Sequence, residues 1–197
     1  MRVVAGSAKG RKLHVVPGHG TRPIVDRVKT SLFDILRPRI EGVIMLDLFA
    51  GSGSVGIEAL SQGAAHCTFL DLSVQAVATV KKNLALTHLS ERAEVRCTDA
   101  FRYLRGTQRS FDLIYVAPPQ YKNLWVAAMQ LISERPELLR SPSAESEGRS
   151  ESGLAIVQID PKEYRTLDVG EFHETRQRRY GNTLLVFFAR ASEPASG

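Results

Sequence analysis

Leu46-Asp47-Leu48-Phe49-Ala50-Gly51-Ser52-Gly53-Ser54-Val55-Gly56 closes a nearly continuous apolar run, residues 43–49, and opens a predicted helix through Val55, Ile57, Ala59 and Leu60. A run without polar alternation suits a strand covered on both faces. A strand, a glycine-rich turn and a helix in that order form the first unit of a doubly wound α/β sheet. The pattern continues downstream. Strands are predicted at 67–70, 93–97, 111–116 and 154–159, and helices at 74–84, capped by Ser73, and at 121–132. The runs 172–180 and 183–189 lie close enough in sequence to form an antiparallel pair. The fold class is therefore α/β, doubly wound, with a mostly parallel sheet.

Upstream, residues 2–5 and 11–16 read as a short hairpin and 17–23 as a loop. Asp26 suits the N-cap of a helix whose Val28, Leu32, Phe33, Ile35 and Leu36 share a face, and Pro38 marks its end. The organisation expected is a basic N-terminal extension over 1–40 and a main domain over 41–190. Residues 141–153, rich in Ser and Glu, read as a mobile surface loop, and 191–197 as a frayed tail.

The chain has 197 residues, 43% of them hydrophobic and 24% charged, which suits one soluble globular domain. No apolar run approaches the roughly 20 residues that cross a bilayer, and the N-terminus lacks the apolar core of a signal peptide. Two cysteines, Cys67 and Cys97, make no disulfide framework, so a reducing cytoplasm is the expected location. The net charge is +5, but the first 40 residues hold nine basic groups against two acids. That segment is net +7 and leaves −2 for the remainder. A solvated basic face is one reading; a phosphate-bearing partner is the other.

Gly51, Gly53 and Gly56 satisfy G-x-G-x-x-G, and Asp71 follows Gly51 by 20 residues at the end of the next strand. Both features fit a dinucleotide site, with the acid on ribose hydroxyls, and a methyl-donor site needs the same parts. Asp47 separates the two. A carboxylate inside a strand end is costly to bury unpaired; it repels a pyrophosphate and attracts the ammonium and sulfonium of S-adenosyl-L-methionine. Asp99, after the third strand, can accept from an adenine amino group or cap the following short helix, with Phe101 packed on the ring. Downstream, Ala117-Pro118-Pro119-Gln120-Tyr121 ends the fourth strand. Prolines stiffen this turn and leave carbonyl acceptors suited to an exocyclic amine, and Tyr121 or Tyr115 can stack on the base. The five histidines are scattered, His66-Cys67 alone is not a ligand set, and no metal is expected.

These residues resemble the RsmD-type bacterial 16S rRNA guanine-N2 methyltransferases. The resemblance runs from Arg2 to about Leu139. It rests on Val4-Ala5-Gly6, Lys9-Gly10-Arg11, Arg22-Pro23, Asp26-Arg27-Val28, Leu32-Phe33-Asp34-Ile35-Leu36 and the stretch from Leu46 to Leu60. It implies a seven-stranded class I methyltransferase sheet, Rossmann-like, with a small N-terminal hairpin and helix extension. It also implies S-adenosyl-L-methionine as donor and 16S rRNA or an assembling small ribosomal subunit as partner, with the enzyme a cytoplasmic monomer. On this reading Asp47, Phe49, Ala50, Gly51, Gly53, Asp71, Leu72, Asp99 and Ala100 hold the donor, and Ala117, Pro118, Pro119 and Tyr121 hold the reacting base. Lys9, Arg11, Arg22, Arg27 and Lys29 face RNA. The family typically reads Asp-Pro-Pro followed directly by Tyr or Phe, whereas here Ala117 takes the acid's place and Tyr121 stands one position later. Asp71 stands where the family usually has Glu. The alternatives are a methyltransferase with another RNA, protein or small-molecule target, and a catalytically weakened RNA-binding homologue. A nicotinamide-dependent oxidoreductase is disfavoured by Asp47 and the Pro118-Pro119 turn.

Overall fold

The computed structural model describes residues 1–18, 24–141 and 152–190. One seven-stranded sheet runs in the order β3-β2-β1-β4-β5-β7-β6. Its parallel part comprises β1 (Ile44–Asp47), β2 (His66–Asp71), β3 (Ala93–Cys97), β4 (Leu113–Val116) and β5 (Leu154–Ile159). Then β7 (Thr183–Arg190) pairs antiparallel with both β5 and β6 (Phe172–Tyr180), as the short connection between the last two runs requires. The strand order reverses between β1 and β4, so a crevice opens beyond their carboxyl ends.

Helices α1 (Asp26–Leu36), α2 (Ser54–Ser61) and α3 (Val74–Thr87) share one apolar cluster with the N-terminal segment; Val3, Leu13, Leu32, Ile57 and Val80 meet there. Helices α4 (Ala100–Gly106) and α5 (Leu124–Glu134) cover the other face through Leu104, Trp125 and Met129. Gly56 is forced by this layering: a Cβ on it would overlap the Phe69 ring and the Cys67 sulfur of β2.

Local expectations are met in part. The N-terminal hairpin forms as a short one: Arg2 bridges Lys12 antiparallel, the Val3 N–H donates to Arg11 O at 3.0 Å and the Leu13 N–H to Met1 O at 3.3 Å, and side chains of α2 tie it down. Glu58 accepts from the backbone of Val4 and Ala5, at 2.9 Å each, and Ser61 Oγ accepts from Ala8 at 2.9 Å. Val25, not Asp26, is the N-cap of α1; Asp26 opens the first turn, where its carboxylate suits the helix dipole and lies 3.5 Å from the Arg2 guanidinium. On α1 Val28, Leu32, Phe33 and Leu36 are buried, and Ile35, half-buried, packs against the same cluster, as the shared face requires. Finally, α5 begins at Leu124 rather than 121, because Tyr121 (φ 60°) and Asn123 (φ 53°) adopt the left-handed conformation and interrupt the helix. The caps expected at Ser73 and Asp99 are present; they accept from Ala76 at 3.3 Å and Arg102 at 2.8 Å. The loop expected at 141–153 falls mostly outside the described residues, and the tail 191–197 entirely so.

Candidate active site

A cavity of about 570 Å³ lies at the carboxyl ends of β1 and β4. Asp47, Phe49, Ala50 and Gly51 form its β1 wall, and Ala117, Pro118 and Pro119 its β4 wall. Asp47 is 2% exposed, and its Oδ1 has no hydrogen-bond partner. Burial, reinforced by the charge of Asp71, raises its carboxyl to about 7 although the Gly56 backbone N–H lowers it. An orphaned buried oxygen aimed into a cavity is what a cationic ligand requires. Space for that ligand exists beside it, since a Cβ built on Gly51 would meet nothing within 4 Å. These residues fit the amino-acid end of S-adenosyl-L-methionine.

The remaining donor candidates continue outside this cavity along the carboxyl ends of β2 and β3. Asp71 accepts from Gly51 N at 2.9 Å and from Ser73 N at 2.8 Å, which ties the two turns together. Leu72 beside it is 68% exposed. Asp99 and the buried Ala100 open α4, and the Phe101 ring meets Phe49 edge-on at 6.2 Å. Gly53, at φ 75°, caps α2.

The base-facing candidates are partly rearranged. Tyr121 does not line the cavity. It is 64% exposed, its N–H donates to Glu163 Oε1 at 2.7 Å, and its phenol bonds to Asp160. Tyr115 is 2% exposed and donates to Gln158 Oε1 at 2.5 Å; burial, then the nearby Asp47 charge, pushes its phenol up. Neither ring is placed to stack on a base, because hydrogen bonds hold one outside the cavity and the other in its wall.

Among the RNA candidates, Lys9, Arg11 and Arg27 are exposed, and Arg22 lies outside the described residues. Lys29 is corrected. Its side chain is 0% exposed, 3.0 Å from Glu58 Oε2 and 3.1 Å from Ser54 Oγ, so it is an internal strut that no RNA reaches.

Several contributors to the site gave no local sequence signal. Val15, Val16 and Ile24 bring the N-terminal segment into the cavity wall. Asn83 of α3 holds that segment against the cofactor turn by bonding the His14 backbone at 2.8 and 3.0 Å and Ser52 O at 2.9 Å. Gln158 also lines the cavity. Its signal was present, since it is a polar residue near the end of an apolar strand, as Asp47 is in β1.

The sequence profile of the family described as "Conserved hypothetical protein 95" matches residues 1–189. YlbH of Bacillus subtilis is 37% identical over 193 residues, which span 96% of this chain and 99% of that protein. Ribosomal RNA small subunit methyltransferase D of Haemophilus influenzae is 43% identical over 137 residues, 68% of this chain and 71% of the relative. Among solved structures, yhhF of Escherichia coli superposes with a TM-score of 0.81 at 29% identity, covering 96% of this chain and 97% of that one. HI0767 of Haemophilus influenzae superposes with a TM-score of 0.75 at 31% identity, covering 97% and 98%.

Proposed function

This chain belongs to the family described as Conserved hypothetical protein 95, and from that premise we propose that it methylates the exocyclic N2 of a guanine in 16S rRNA. It is an S-adenosyl-L-methionine-dependent RNA methyltransferase by membership. The observation that carries the reading is the orphaned Asp47 oxygen beside the open Gly51 turn, facing the Ala117-Pro118-Pro119 wall across one cavity.

S-adenosyl-L-methionine supplies a methyl group activated on a sulfonium sulfur. Asp47 binds the donor's ammonium, and Phe49, Ala50, Gly51 and Gly53 shape the turn around it. Asp71 takes the ribose hydroxyls with the lone pairs its backbone bonds leave. Leu72, Asp99 and Ala100 flank the adenine. The carbonyls of Ala117 and Pro118 accept from the target amine and hold its nitrogen in line for attack, with Pro119 keeping the turn stiff. A guanine amine is a weak nucleophile, so catalysis comes from positioning and from excluding water. As the nitrogen–carbon bond forms, the carbon–sulfur bond breaks, and the amine's surplus proton passes to solvent. The target base leaves its stack to reach the cavity.

Lys9, Arg11 and Arg27, with Arg22, provide the phosphate-facing charge. No helix among the described residues is long and apolar enough to cross a membrane, and a cytoplasmic monomer acting on ribosomal RNA or an assembling small subunit completes the reading. The test is methyl transfer from labelled S-adenosyl-L-methionine to small-subunit RNA, naked and partly assembled, followed by nucleoside analysis. N2-methylguanosine is expected. Donor binding without transfer to either substrate would favour the second reading, an RNA-binding homologue weakened by Ala117.

A further inference from the structure

The wall that should grip the target base has lost its side chain at Ala117, and the neighbouring strand supplies another. Tyr115 pairs with Ile156, and Val116 with Val157, in the parallel register of β4 and β5. Carried one residue further, that register sets Gln158 level with Ala117 at the strand spacing of about 4.8 Å. Gln158 stands on the same face of the sheet as Ile156 and Tyr115, which belong to the cluster against which Ala117 packs. Gln158, Ala117 and Tyr115 all line the cavity.

We propose that Gln158, anchored by Tyr115, is the base-reading residue of this site and takes over at β5 the side-chain contact that position 117 does not make. This rests on the methyltransferase reading above. The Tyr115 hydroxyl donates to Gln158 Oε1 at 2.5 Å. That bond fixes the amide, and the Gln158 Nε2 has no hydrogen-bond partner among the described residues. The site thus presents an NH₂ donor beside the backbone acceptors of Ala117 and Pro118. A donor flanked by acceptors complements an exocyclic amine that adjoins an unprotonated ring nitrogen; the N2–N3 edge of guanine presents this pattern, and adenine and cytosine share it at N6–N1 and N4–N3. Tyr115 is the positioning residue and Gln158 the group that touches substrate. Gln158 lines the cavity from β5, whereas Tyr115 is the cross-strand neighbour of Asp47, so donor affinity is the control for the Gln158 variants and not for Tyr115→Phe.

Three variants test this in the transfer assay, each checked for an unchanged melting temperature. Gln158→Ala is expected to lower kcat/KM for RNA about tenfold, the scale of one neutral hydrogen bond, with donor affinity within twofold of wild type. Gln158→Glu presents only acceptors when ionised; at saturating donor it is expected to be as poor as Gln158→Ala at pH 8 and to recover relative to wild type at the same pH as pH falls and its carboxyl gains a donor proton. Tyr115→Phe is expected to lower kcat with less effect on KM. If wild type transfers methyl and both Gln158 variants stay within twofold of it at every pH, the assignment is overturned and the proposed activity stands. If donor affinity falls in parallel with turnover, Gln158 belongs to the donor site and the assignment is likewise overturned. If wild-type protein transfers methyl to no RNA, both fall together.

Discussion

Asp47 is a carboxylate held where its ionised form has no neutralising partner, and that single residue sets two pH dependences. Its carboxyl sits near 7 in the folded chain against an ordinary value of 3.8, mainly through burial. The folded state therefore keeps a proton that the unfolded state releases between about pH 4 and pH 7. The stability linked to this group is fully present below about pH 4 and is lost as pH rises through 7, on the order of 4 kcal/mol once ionisation is complete. Asp47→Asn, which never ionises, is expected to raise the melting temperature of the ligand-free protein at pH 8.5 and to change it little at pH 4. Differential scanning calorimetry at the two pH values checks this. On the proposed role of Asp47, donor affinity runs the opposite way, because an ammonium partner needs the ionised form. Titration calorimetry with S-adenosyl-L-methionine is expected to give binding about tenfold tighter at pH 8 than at pH 6, with proton release at the lower pH. Asp47→Asn should bind weakly and without that pH slope.

The contact between the N-terminal segment and α2 decides whether the cavity has its outer wall. Lys29 and Glu58 are both fully buried, and Glu58 also accepts from the backbone of Val4 and Ala5. Removing one member of a buried pair strands the other charge and typically costs about 3–5 kcal/mol. Lys29→Met is therefore expected to lower stability by that amount in urea unfolding, while Arg27→Met, on the exposed face of the same helix, changes it by less than about 0.5 kcal/mol. Gly6 makes the same point by close approach: at φ 78° a Cβ on it would run into the Ser61 backbone, so Gly6→Ala should undock the segment and open its buried Val3 and Leu13 to proteolysis. The helices and strands themselves were legible, because an apolar run or a 3.6-residue repeat is a local property. The start of α5 and the docking of the hairpin on α2 were not. Tyr121 bonds to Glu163 and Val4 to Glu58, partners 42 and 54 residues away. Lys29 misled for the same reason: its place in a basic segment suggested solvent, and the Glu58 that buries it lies on another helix.

At the scale of the whole molecule, the grouping of the residues proposed to hold the donor was readable because Asp47, the Gly51 turn and Asp71 sit at fixed offsets from strand ends. The base-facing half was less so: Gln158 stands out locally as a polar residue near the end of an apolar strand, but its place level with Ala117 follows from a strand register that no local pattern encodes. The charge distribution follows the same division. Of the basic residues read as RNA-facing, Lys9, Arg11 and Arg27 are exposed while Lys29 is spent internally. RNA affinity should therefore fall steeply with salt, because each neutralised phosphate releases condensed counterion, with a slope of about 0.7–0.9 per contact in a logarithmic plot. Lys9→Ala, Arg11→Ala and Arg27→Ala combined are expected to reduce that slope by about 2 to 3 and to weaken RNA binding similarly for all sequences, since phosphate contacts carry no base identity. Donor affinity should be unchanged, because none of the three residues lines the cavity. Filter binding of small-subunit RNA from 50 to 300 mM KCl checks this. An unaltered slope in the triple variant would mean that the N-terminal charge is a solvated face and that RNA is held elsewhere on the chain.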